Sequence, residues 1–87
     1  MTNYYKINSE DISYRIIEDE AVILNLKTSD YYSLNKTGTF IWKLLENKAN
    51  LEDIISKFAD EFGINIKTAT NDIQQLLRDF KRQKLIS

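Results

Sequence analysis

No cysteine, no histidine and no proline occurs among the 87 residues of the chain, and glycine occurs only twice. Each absence removes a class of chemistry. Without cysteine there is no disulfide and no thiolate nucleophile, which fits a reducing cytoplasm. Without cysteine and histidine the usual zinc ligand sets are missing, and so are Ser-His and Cys-His catalytic pairs. No metal and no cofactor is expected. The two glycines, Gly38 and Gly63, are too far apart to form a phosphate-cradling loop. The net charge of −1 supplies no global field toward nucleic acid. The first fifteen residues contain no apolar signal core, and no later run is long enough to cross a bilayer. The expected location is cytoplasmic, with no membrane association.

What remains is ordinary for a globular protein: 43% hydrophobic and 29% charged residues, enough for one domain around one core. Residues 1–12 are polar and mixed, and a loose segment is expected there. Residues 13–87 read as a single domain. Positions 14–34 alternate and carry β-branched and aromatic residues, whereas 36–84 repeat at helical spacing. The expected strands are Ser13–Glu18, Ala21–Lys27 and Tyr31–Leu34. In the second, Val22, Leu24 and Leu26 are expected to share the apolar face, with Ile23 as the exception among Asn25 and Lys27. In the third, Tyr32 and Leu34 share one face, and Tyr31 and Ser33 the other. Thr28, Ser29 and Asp30 suit a turn.

Three helices follow. Asn35 caps the first, whose apolar arc is Phe40, Ile41, Leu44 and Leu45, with Trp42 on the flank. Gly38 lies between Leu45 and Trp42 on the helical wheel, where it would permit close approach of a neighbouring element. Asn50 caps the second, which carries Leu51, Ile54, Ile55, Phe58 and Phe62 toward the core and ends at Gly63 in a left-handed conformation. The third runs from near Asn65 to about Lys84 and buries Ala69, Ile73, Leu76, Leu77 and Phe80. Leu85 and Ile86 form a hydrophobic tail packed on the domain. The architecture is α+β: a three-stranded antiparallel sheet followed by three helices, related to the winged helix-turn-helix.

An enzyme reading finds little to stand on. The carboxylate pairs Glu52–Asp53 and Asp60–Glu61 fall on a solvated helix face. A DNA-binding reading would use Thr68, Thr70, Asn71, Gln74 and Gln75 on the third helix to reach base edges. Against it, the strands precede the helices where a wing would follow them. Asp72 sits among the would-be readers, and the basic residues Arg78, Lys81, Arg82 and Lys84 gather where the helix dipole already favours cations. A strand at a sheet edge, by contrast, offers unpaired backbone groups to an incoming peptide. Tyr31–Leu34 is short, aromatic and placed beside a helix. The third helix supplies a second wall, its Leu76 flank continuing into Asp72, Asp79 and Gln83.

The stretch 24–47 also carries a family pattern. Tyr32, Ser33, Leu34 and Asn35 lead into Thr37-Gly38 and then Ile41-Trp42. This resembles the PqqD-like family, the RiPP precursor-peptide recognition elements, in which a Tyr-x-Leu-Asn strand end precedes a Thr-Gly-x-x-Ile-Trp helix. Leu51 to Ile55, Phe62 to Ile64, Asn71 to Ile73, Leu76-Leu77 and Leu85-Ile86 extend the similarity over about residues 13–86. Lys84 departs from it, standing where the family often has glycine. The resemblance implies three strands followed by three helices. It implies that the leader segment of a ribosomally made precursor peptide adds as a strand between the third strand and the third helix. The precursor is then presented to separate maturation enzymes such as a leader peptidase and a cyclase. The peptide-binding residues expected on this basis are Asp30, Tyr31, Tyr32, Ser33 and Leu34, with Asp72, Leu76, Asp79, Phe80 and Gln83. Within the family the chain is most similar to the discrete leader-binding proteins of lasso-peptide pathways. A PqqD-type peptide chaperone for a radical enzyme is the alternative, and an unoccupied edge strand could pair with a second copy.

Overall fold

The computed structural model describes residues 4–87. Strands β1 (Ile12–Ile17), β2 (Glu20–Asn25) and β3 (Tyr31–Leu34) precede helices α1 (Lys36–Glu46), α2 (Leu51–Phe62) and α3 (Ile66–Arg82). The sheet is an antiparallel meander in the order β1-β2-β3, so β3 is an edge. Glu18, at φ 57°, opens the two-residue loop between β1 and β2. No helix among the described residues is long and apolar enough to cross a membrane.

The face of β2 that packs on the helices is the reverse of the one expected. Ala21, Ile23 and Asn25 are buried, while Val22, Leu24 and Leu26 are exposed. Two residues explain the inversion. Ile23 is fully buried. Asn25 is buried beside it because its Oδ1 accepts hydrogen bonds from the backbone N–H groups of Lys27 and Thr28, at 2.9 and 3.1 Å. A satisfied amide can occupy a core position, and here it shapes the turn into β3. The outer face is left with Val22, Leu24, Leu26 and Tyr31.

All three helices begin at asparagine. The side chains of Asn35, Asn50 and Asn65 accept from the N–H groups of Gly38, Asp53 and Thr68 at 2.9, 2.8 and 2.8 Å. Gly63 ends α2 at φ 63°, with its N–H on the Ala59 carbonyl. Trp42 is not on a flank: it is fully buried, edge-on to Tyr14 and Phe80, with ring centroids 5.3 and 5.5 Å away. Large aromatic area outweighs its off-arc angle, because β1 and α3 close over it from two sides. Of the segment 1–12, residues 1–3 lie outside the described residues. Farther on, Ile7 bridges to Ile86, and Lys6 and Ser87 exchange backbone hydrogen bonds of 3.2 and 2.8 Å. Leu85 and Ile86 are buried in the core.

Candidate peptide-binding groove

The register of β3 decides which of its backbone groups are free. The Asn25 N–H donates to the Asp30 carbonyl at 2.7 Å, and Leu24 lies opposite Tyr31. In an antiparallel ladder this makes Leu24/Tyr31 a non-hydrogen-bonded pair, and the kinds alternate from there. Ile23/Tyr32 and Ala21/Leu34 therefore exchange the ladder bonds. The N–H and C=O groups of Tyr31 and Ser33 point away from β2, at the open edge. The side chains follow the pleat: Tyr31 is 71% exposed, whereas Tyr32 and Leu34 are half-buried against the helices.

Alongside this edge lies a groove of about 580 Å³. One wall is the end of β3 and the start of α1, from Ser33 and Leu34 through Asn35 and Thr37 to Gly38. The other is α3, through Asp72, Ile73, Gln75, Leu76 and Asp79, and Phe58 contributes from α2. The corner between β3 and α1 is held tightly. The Thr39 hydroxyl donates to the Leu34 carbonyl at 3.2 Å. A Cβ added at Gly38 would stand 3.3 Å from the Leu34 Cβ. Glycine here lets the helix start close under the strand, the close approach its wheel position had indicated.

Of the residues expected to bind peptide, the groove brings together Ser33, Leu34, Asp72, Leu76 and Asp79. Tyr31 and Tyr32 lie on the adjoining strand, and Asp30 just before it, its N–H on the Thr28 hydroxyl at 3.2 Å. Phe80 does not reach the groove surface; it is 2% exposed and packs on Trp42. Its place on the apolar stripe of α3 points it at the core. Gln83 is the exposed C-cap of α3 and does not line the groove. Asn35, Thr37, Gly38, Phe58, Ile73 and Gln75 were not anticipated as lining. For Gly38 the signal was the odd glycine in a helix; Phe58 and Ile73 read only as core.

The groove is apolar at its centre and acidic on one side. Asp79 is paired with Arg82 one turn on, at 3.3 Å, while Asp72 is exposed and makes no ion pair among the described residues. No described cluster of His, Cys, Asp or Glu could hold a metal ion. A larger cleft, about 750 Å³, lies at the β1 edge between the segment Tyr4–Ser9, Tyr14 and the end of α1, and α3 takes no part in it. There the Tyr14 hydroxyl donates to Glu46 at 2.5 Å. Burial, and then the hydrogen bond and charge of Glu46, push the Tyr14 hydroxyl up to about 12.

Residues 20–86 match the family model described as "Coenzyme PQQ synthesis protein D (PqqD)". The solved structure "TbiB1 in Complex with the TbiA(beta) Leader Peptide" superposes at TM-score 0.89, with 30% identity over 94% of each chain. "Lasso peptide synthetase B1 complexed with the leader peptide" superposes at TM-score 0.86 over 95% of this chain and 96% of that one; at 20% identity it speaks to the fold. No curated protein sequence matches the chain.

Proposed function

Because the chain belongs to the PqqD family, we propose that it binds the leader segment of a ribosomally synthesised precursor peptide, adding it as a strand to the open edge of β3. The observation that carries this reading is the outward backbone of Tyr31 and Ser33, set beside a groove whose far wall is the Leu76 flank of α3. The backbone supplies sequence-independent hydrogen bonds, and the groove supplies selectivity. The relative at 30% identity is itself described in complex with a leader peptide, which supports the same use of this fold here.

The chain is assigned no catalytic step. It holds the precursor and presents it to separate maturation enzymes, a leader peptidase and a cyclase, in lasso-peptide biosynthesis. The Tyr31-Tyr32 strand and the buried Trp42 support that branch of the family over a chaperone serving a radical enzyme. The working location is the cytoplasm, where the precursor is made. Without leader, the β3 edge is open to a second copy of the chain, and leader binding would compete with such pairing.

Calorimetry with the leader of a precursor encoded beside this chain's gene tests the proposal. Saturable one-to-one binding at micromolar affinity or better is expected. No heat and no shift in melting temperature at millimolar leader would overturn it.

A further inference from the structure

Resting on the leader-binding reading, we infer that the groove selects a leader carrying an apolar side chain and a basic side chain two residues apart, the first over Leu76 and the second beside Asp72. The parity of the ladder sets the spacing. Leader residues opposite Tyr31 and Ser33 in an antiparallel added strand exchange hydrogen bonds with them, and paired residues share a face. Those leader side chains therefore lie on the outer face with Tyr31, Val22 and Leu24. The leader residues opposite Tyr32 and Leu34 turn inward, to the face on which the groove lies.

Consecutive inward side chains are about 6.7 Å apart along a strand. On α3, Asp72 and Leu76 stand one above the other four residues apart, about 6 Å along the axis. A leader strand aligned with the axis of α3 would put one inward side chain at each. Leu76 is half-buried and continuous with Leu34, Ile73 and Phe58, so its neighbour is apolar. Among the described residues Asp72 is the lining carboxylate that no cation already occupies; Asp79 is held by Arg82. The charged side chains lining the groove are Asp72 and Asp79, both acidic, which disfavours an acidic leader residue at that place.

The test uses a displayed library of random fifteen-residue peptides selected against the folded wild-type protein and against Asp72→Asn and Asp72→Lys. Wild type is expected to enrich Lys or Arg two positions from an enriched apolar residue. Asp72→Asn should lose the preference, and Asp72→Lys should replace it with Asp or Glu at the same position. Single peptides should lose about two- to fivefold in affinity on Asp72→Asn at low salt, the range of an exposed ion pair. Binders with no charge pattern, or a pattern unchanged in Asp72→Lys, would overturn the selectivity and leave leader binding standing. Failure to recover any binder with wild type, together with no heat from the native leader, would overturn both.

Discussion

Replacing one residue of β3 by proline separates the open edge from the paired one. Ser33 directs its N–H away from β2, so Ser33→Pro removes no ladder bond, and edge strands accept proline where the N–H faces solvent. The fold should survive, with a loss of stability of about 1 kcal/mol or somewhat more as the ring draws φ in from its extended value. Leader binding should not survive so well. One strand hydrogen bond is lost, about 0.5–1.5 kcal/mol, and the ring occupies the place of the leader carbonyl, weakening the neighbouring bond. A total of about 1.5–3 kcal/mol corresponds to a tenfold or greater rise in Kd. Tyr32→Pro is the converse. It removes a donor to the carbonyl of Ile23, a fully buried residue, and an orphaned buried carbonyl costs about 1–3 kcal/mol in fold stability. Thermal denaturation and calorimetry on both variants decide the matter. Unchanged leader affinity in a folded Ser33→Pro, or a Tyr32→Pro as stable as wild type, would refute the ladder assignment.

Three further outcomes follow from particular residues. Leu76→Glu replaces the half-buried apolar contact of the groove with a third carboxylate beside Asp72 and Asp79. Losing about half of a full leucine burial weakens leader binding about three- to tenfold in calorimetry, with the fold intact by circular dichroism. Gly63→Ala places a side chain at φ 63°, where nothing lies within 4 Å, so the penalty is purely conformational. It should lower stability by about 1 kcal/mol, a fall of roughly 4–8 °C in Tm. Tyr14 keeps its proton to about pH 12 in the folded chain, against 10.0 for an unperturbed tyrosine. The raised value favours folding fully below pH 10 and is lost as pH climbs from 10 to 12. Melting curves across that window should fall more steeply for wild type than for Tyr14→Phe; parallel curves would argue against a raised Tyr14 hydroxyl in the folded chain.

Much of the fold is written in local signals. Asparagine before each helix, glycine after α2 and the 3.6-residue spacing of Ile54, Phe58 and Phe62 act within one or two turns, and each holds in the structure. The face of β2 is not local. Hydrophobicity favoured Val22, Leu24 and Leu26, and the buried side proved to be Ala21, Ile23 and Asn25. What decides it is the capacity of the Asn25 amide to satisfy itself on the following turn, which alternation cannot register. Trp42 was misplaced for a related reason: a helical wheel shows one helix, and Trp42 is enclosed by Tyr14 and Phe80 from two other elements. The groove was legible where one strand or one flank carried the signal, at Ser33, Leu34, Asp72, Leu76 and Asp79. Its Asn35-to-Gly38 wall depends on how closely α1 starts beneath β3. Phe80 shows the opposite error, a residue near the right flank whose side chain is used up in the core.

Amide hydrogen exchange across Tyr31–Leu34, measured residue by residue with and without leader, reaches the central claim most directly. The amides of Tyr32 and Leu34, bonded to β2, should be protected in both states. Those of Tyr31 and Ser33 should exchange freely alone and become protected when leader is bound. Protection arising elsewhere, with Tyr31 and Ser33 still exchanging freely at saturation, would contradict strand addition at β3.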